Sequence, residues 1–335
     1  MKRNLTCGVV VALVGCTRPA VVRDPQAPVE EWQAYGNDAG SSRYSVLNEI
    51  TRGNVARLKV AWTYRTGDVS DGKGTWNGEK VWAKSTFAAT PLMTDGTLYI
   101  ATPFNRIIAL DAETSKEKWT FDPKLNRIGY YGDDLTCRGL AFRTDSKIAP
   151  GQPCRKTVYE ATLDGRLIAV DAETGKACAR FGTAGQVSLK AGINLASGIN
   201  HVIPGEYHFT SAPAVVGDVV VVGSAINDDD RVEMPSGVVR GYNAGSGALV
   251  WSWDPVPRDP EDPARSTWQN GADRTGAANV WGPSSADPEH DLGFSADHQS
   301  EPRLFRRRTE GSESLCRLPS RVKSIGRQGG LGIPG

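Results

Sequence analysis

One phrase recurs along this chain of 335 residues. Its copies are Arg106-Ile107-Ile108-Ala109-Leu110-Asp111-Ala112-Glu113-Thr114 leading to Trp119, Arg166-Leu167-Ile168-Ala169-Val170-Asp171-Ala172-Glu173-Thr174-Gly175-Lys176, and Val239-Arg240-Gly241-Tyr242-Asn243-Ala244-Gly245-Ser246-Gly247 leading to Trp251. Each copy reads as one hairpin. The apolar run is a buried strand, the Asp-Ala-x-x-Gly stretch is a turn with a small residue at positive φ, and the Trp opens the next strand. A partial fourth copy, Leu58-Lys59-Val60-Ala61-Trp62-Thr63-Tyr64, lies upstream. A hairpin cannot bury its apolar face alone, so tandem copies predict an all-β array, radial or stacked, with a unit somewhat longer than a simple propeller blade.

Length and composition agree with a large β core, since the chain carries 37 Gly, 20 Pro and 9 Trp with 39% hydrophobic residues. The charge balance, 39 Lys+Arg against 38 Asp+Glu, argues against a nucleic-acid surface.

The N-terminus reads as an export signal. Lys2 and Arg3 precede an apolar run from Leu5 to Val14, too short to span a membrane as a helix. The run ends in Leu13-Val14-Gly15-Cys16, which resembles a bacterial lipobox and predicts a lipid anchor on Cys16; an ordinary cleaved signal is the alternative. Either places the mature protein in the periplasm, with residues 1–16 as signal and 17–30 as linker. Beyond the signal remain Cys137, Cys154, Cys178 and Cys316, with no zinc-like spacing. Cys154 and Cys178 flank the hairpin of Lys156-Thr162 and Arg166-Val170, which makes them the preferred disulfide, with Cys137 as competitor.

Residues 31–292 resemble the quinoprotein dehydrogenases, the pyrroloquinoline quinone (PQQ) enzymes that include membrane glucose dehydrogenase and methanol dehydrogenase. The resemblance is carried in order by Trp32-Gln33-Ala34-Tyr35-Gly36-Asn37-Asp38, Arg43-Tyr44-Ser45, Asn48 to Val55, Ala89-Thr90-Pro91-Leu92, Thr102-Pro103-Phe104-Asn105-Arg106, Cys137-Arg138-Gly139, Thr210-Ser211-Ala212-Pro213, Pro235 to Gly241, and Gly276-Ala277-Ala278-Asn279-Val280-Trp281. It implies an all-β quinoprotein-type β-propeller, eight-bladed in intact relatives roughly twice as long, of which this chain holds about the first half. It also implies PQQ and a divalent ion, Ca2+ or Mg2+, in the central channel.

PQQ is a flat tricarboxylate, so its site needs an aromatic plane, cationic and hydroxyl donors, and hard oxygen ligands for the ion. By the resemblance Trp281 is the plane, Arg138 contacts a quinone oxygen or carboxylate, Thr210 donates to a carboxylate, Asn279 binds the ring edge, and Asp228 ligates the ion. Plainer readings stay open: a core Trp281, a solvated Asp228-Asp229-Asp230 loop, an Arg138 paired with Asp133 or Asp134, and a Thr210 that satisfies a turn. His201, His208, His290 and His298 show no ligand spacing and read as structural or exposed. One position departs from the family pattern: where a Glu near the quinone is common, this chain has Ala88.

The implied activity is oxidation of a sugar or alcohol, with electrons passing to ubiquinone or a cytochrome. The general base, an Asp, lies in the family's second half, so no catalytic residue is assigned here. The alternative is a non-catalytic propeller lipoprotein of the outer-membrane barrel-assembly type, which binds partners through loops. From Gly293 the strand pattern stops and Arg306-Arg307-Arg308 appears, as in a disordered basic tail. Read one nucleotide later, however, codons for Arg327 to Pro334 can spell Gly-Lys-Val-Val-Trp-Glu-Phe, another copy of the repeat. The expectation is therefore a reading frame lost near Leu292-Gly293, leaving 293–335 out of frame. Resequencing across those codons should show one inserted or two deleted nucleotides; an intact frame, with the C-terminus verified by mass spectrometry, overturns it.

Overall fold

The computed structural model describes residues 31–193, 205–227, 233–268, 271–273, 276, 278–287, 292–295 and 320–323. Three antiparallel four-stranded sheets dominate. The first consists of Leu92–Thr94, Thr97–Ala101, Ile107–Asp111 and Glu117–Phe121, in chain order. The second runs Ala141–Thr144, Lys156–Ala161, Arg166–Asp171 and Gln186–Ser188, and the third Ala214–Val216, Val219–Val222, Val239–Asn243 and Leu249–Trp253. These are successive blades of a β-propeller. A three-stranded sheet follows, in which Leu292–Ser295 pairs with both Ser285–Asp287 and Ser320–Lys323. Residues 1–16 and 17–30, read from the sequence as signal and linker, lie outside the described residues.

The repeated phrase is the turn between the third and fourth strands of each blade, and its first residue locks it. Asp111 Oδ1 accepts from the Thr114 N–H (2.9 Å) and hydroxyl (2.7 Å), and Asp171 Oδ1 from those of Thr174 (both 2.8 Å). Asn243 Oδ1 accepts likewise from Ser246 at 2.9 and 3.0 Å. These are Asx turns, which side-chain amides and carboxylates make locally. The positive-φ position is occupied by Ser115 (φ 59), Gly175 (φ 70) and Gly247 (φ 72). The tryptophans sit in mid-strand instead of opening the strand, because pairing resumes directly after the turn: Glu117 already faces Leu110, and Trp119 faces Ala109.

The locked turn presents one carbonyl to the preceding blade. Ala172 O accepts from Tyr99 Oη (3.1 Å) and Trp119 Nε1 (3.0 Å), both of the first blade. Ala244 O accepts from Tyr159 Oη of the second blade at 2.7 Å, and Ala112 O from Trp62 Nε1 of the upstream copy at 3.2 Å. Between the blades the core is apolar. Leu92, Tyr99, Ile107, Leu140, Val158 and Ile168 fill the first gap, and Tyr159, Leu167, Phe181, Tyr207, Val220 and Tyr242 the second. The disulfide joins Cys154 to Cys178 with a Cα–Cα distance of 5.9 Å, and Cys137 is free and buried.

One polar network crosses the first gap. The turns Thr102–Arg106 and Thr162–Arg166 are closed alike, by the Thr hydroxyls accepting from the N–H of Arg106 and of Arg166, each at 3.0 Å. Asn105, at φ 56, reaches from the first turn into the second blade. Its Oδ1 accepts from Leu163 N at 3.0 Å and its Nδ2 donates to Glu160 Oε1 at 2.9 Å. Cys137 Sγ donates to the same Glu160 oxygen at 3.5 Å, while Glu160 Oε2 is buried without a partner among the described residues. Burial pushes the Glu160 carboxyl up to about 8, against the Asn105 and Cys137 hydrogen bonds that lower it.

Two outcomes test this packing. A Cβ on Gly175 would stand 2.7 Å from the Trp119 ring, whereas one on Gly151, also at positive φ (76), would meet nothing within 4 Å. Gly175→Ala should therefore cost about 2–4 kcal/mol in urea unfolding and Gly151→Ala about 1 kcal/mol; equal losses would show that strain alone acts at Gly175. Because the folded Glu160 pKa lies above its unfolded value, its stability contribution is complete below the ordinary carboxyl value of 4.5 and is lost as pH rises to about 8. Glu160→Gln removes that slope, so the variant should gain on the parent protein by up to about 5 kcal/mol between those limits, read from unfolding free energies at each pH; parallel curves would refute a raised Glu160 carboxyl.

Candidate functional site

The first strand of each blade is preceded by a second extended run, and these runs gather side by side. Leu135–Gly139 lies parallel to Ser85–Thr90, with Phe87 opposite Cys137 and Thr90 opposite Gly139. On its other flank Arg138 N donates to Thr210 O at 2.7 Å. Breaks at Pro91, Leu140 and Pro213 separate each run from its blade strand, so that the runs pair with their neighbours rather than with their own sheets. Ala88 lies on the first of these runs, two residues before Thr90.

Arg138 and Thr210 come together here, and Trp281 joins them. The Arg138 guanidinium lies over the Trp281 ring, 4.8 Å from its centroid, within cation–π range. Ser211 Oγ donates to the Trp281 backbone oxygen and ties the Trp to the run that holds Thr210. Asn279 is buried two residues before Trp281. Its backbone is packed so closely on Gly237 that a Cβ there would collide with Ala278 O, which gives that glycine its reason. Four of the five sequence-derived site residues thus occupy adjacent segments. The fifth, Asp228, lies outside the described residues. Among the described residues no group of three His, Cys, Asp or Glu is placed to hold a metal.

Of the plainer readings, two do not hold. Arg138 takes part in no ion pair among the described residues, since Asp133 turns to His208 and the Asp134 carboxylate accepts from Lys84 N. Thr210 Oγ1 closes no turn: it is buried without a partner among the described residues. Arg138 Nη1 and Ser236 Oγ share that condition. An unmet buried donor costs about 1–3 kcal/mol. A cluster of such donors beside an aromatic face suits a planar polyanion, and PQQ is one.

Of the histidines read from the sequence as structural or exposed, His208 is the structural kind. It is buried and its Nε2 stands 3.3 Å from Asp133 Oδ2, while its ring meets the Tyr131 ring edge-on at 6.1 Å. The hydrogen bond to His208 holds the Asp133 carboxyl below the usual carboxylate range. A lone His gives no spacing signal, but the alternation Tyr207-His208-Phe209-Thr210 does. Tyr207 and Phe209 enter the core between the second and third blades, in edge contact at 5.3 Å, which puts His208 and Thr210 on the other face.

Known proteins with this pattern are quinoproteins. The family profile described as PQQ glucose/ethanol/alcohol dehydrogenase, beta-propeller domain, matches residues 32–315. The chain is 40% identical over 264 residues to the glycerol dehydrogenase large subunit of Gluconobacter thailandicus, covering 78% of this chain and 33% of that protein. It is 35% identical to quinoprotein glucose dehydrogenase A of Acinetobacter calcoaceticus, covering 80% and 33%. Among solved structures, the quinohemoprotein alcohol dehydrogenase of Comamonas testosteroni superposes with a TM-score of 0.62 at 24% identity, over 84% of this chain and 37% of that one, and so speaks for the fold alone. The chain spans about a third of the length of the curated relatives it matches. With its blades, its interblade turns and its donor cluster in place, the chain belongs to the PQQ-dependent quinoprotein dehydrogenases.

Proposed function

We propose that this chain is part of a dehydrogenase that oxidises a sugar or an alcohol with PQQ and a divalent cation, Ca2+ or Mg2+. The observation that carries the reading is the approach of Arg138 to Trp281 at 4.8 Å, with Arg138 Nη1 and Thr210 Oγ1 both buried and unmet. PQQ, when bound, supplies an electrophilic quinone that accepts two electrons from the substrate carbinol. The residues of this chain bind and orient it. The Trp281 indole offers a face for stacking, Arg138 a charged fork for a quinone oxygen or carboxylate, Thr210 a hydroxyl donor, and Asn279 an amide at the ring edge. Asp228 would ligate the cation.

The relatives' names cover glycerol, glucose and quinate oxidation, which supports a small polyhydroxylated substrate. The further reading follows from the sequence: export to the periplasm, a lipid anchor on Cys16, and ubiquinone or a cytochrome as electron acceptor. No residue here matches the family's general-base Asp, so the chain by itself should turn over little substrate. The scaffold alternative requires neither the Arg138–Trp281 approach nor the unmet donors.

Titration of the purified full chain with PQQ and CaCl2, followed by tryptophan fluorescence, should give saturable quenching. Arg138→Ala should weaken binding roughly 10- to 100-fold, the worth of one charge-assisted hydrogen bond. Absence of saturable quenching in the unaltered chain would overturn the reading in favour of a scaffold.

A further inference from the structure

His208 is not among the residues that the family resemblance assigns, yet it stands on the same face as one of them. His208 and Thr210 are two residues apart on an extended run whose alternate side chains, Tyr207 and Phe209, are committed to the core. The run that carries them lies alongside Leu135–Gly139, joined to it by the 2.7 Å backbone bond from Arg138 N to Thr210 O. The imidazole is 1% exposed, and its Nδ1 is buried without a partner among the described residues. Three unmet polar atoms therefore lie on two adjoined segments: Arg138 Nη1, Thr210 Oγ1 and His208 Nδ1. Each is a cost to the fold that a ligand lying along both segments would relieve.

Asp133 determines what His208 can do there. Its Oδ2 lies 3.3 Å from Nε2, and no other acid pairs with the ring among the described residues. A carboxylate at Nε2 fixes the ring orientation and favours a proton on that nitrogen. With Nε2 protonated toward Asp133, a second proton on Nδ1 gives an imidazolium whose free N–H points away from the carboxylate. An anionic ligand at Nδ1 would accept that N–H.

We propose that His208, oriented by Asp133, is a third ligand-binding donor beside Arg138 and Thr210, and that it takes a carboxylate of the planar polyanion bound at Trp281. The assignment rests on the PQQ reading above. His208 contacts the ligand, whereas Asp133 is a positioning residue that acts through it.

The test uses the full chain, PQQ and CaCl2, with two readouts. Quenching titrations should show His208→Gln binding PQQ roughly 10- to 100-fold more weakly than the unaltered chain, with Asp133→Asn between the two. In protein labelled with 15N-histidine, PQQ should shift the His208 Nδ1 resonance toward the protonated range, a change that a purely structural histidine would not make. Saturable PQQ binding with an unchanged Kd in His208→Gln and an unmoved Nδ1 resonance overturns the assignment and leaves the PQQ reading intact. Absence of PQQ binding by the unaltered chain overturns both. Should His208→Gln lose its cooperative unfolding transition, the resonance in the unaltered protein decides alone.

Discussion

The carbonyl at the corner of each repeated turn is where one blade is fastened to the one before it. Ala112, Ala172 and Ala244 accept from Trp62, from Tyr99 with Trp119, and from Tyr159. Packing of apolar faces is not directional, and two sheets can slide on one another at little cost while their area stays buried. A phenol or indole donor must meet a particular acceptor, and when buried it loses more by missing that acceptor than the bond contributes. The Asx side chain has already ordered the turn, so the acceptor is aimed before the blades meet. Register between blades follows from these few points.

The site inherits that register. Arg138 and Thr210 sit on runs that leave different blades, the second and the third, and their backbones bond at 2.7 Å only because the blades are held at one separation. The Asn105–Glu160–Cys137 network acts in the same direction. It connects the first blade to the second directly beneath Arg138, since Cys137 is its chain neighbour. A small rotation of either blade would separate the guanidinium from the hydroxyl without breaking any contact within a sheet.

What could be read from the sequence was what is local. An Asp that bonds a Thr three residues on leaves its mark as Asp-Ala-x-Thr, so the turns and the strands beside them were legible, as was the Cys154–Cys178 pair that brackets one hairpin. The site residues Arg138, Thr210, Asn279 and Trp281 were legible only through family resemblance, because nothing in their spacing brings them together. Tyr99 and Tyr159 were not legible as fasteners, their acceptors lying 73 and 85 residues away. His208 was not legible as paired, for the same reason, with Asp133 75 residues off. The alternation around it shows its face but not its partner.

The placement of acids around the donors has a further consequence. A carboxylate in contact with Arg138 would satisfy the guanidinium and leave little field for an incoming anion. The two nearest candidates are occupied elsewhere in different ways. Asp133 is engaged by His208, whose hydrogen bond holds its carboxyl below the usual carboxylate range. Glu160 is engaged by Asn105 and by Cys137, the chain neighbour of Arg138, and burial pushes its carboxyl up to about 8. The net effect is a cluster of donors with no competing acceptor in contact, although the chain as a whole is almost uncharged, at +1. Local arrangement, not overall composition, leaves the Arg138 and Thr210 donors unmet among the described residues, and a planar tricarboxylate is the kind of ligand such donors suit.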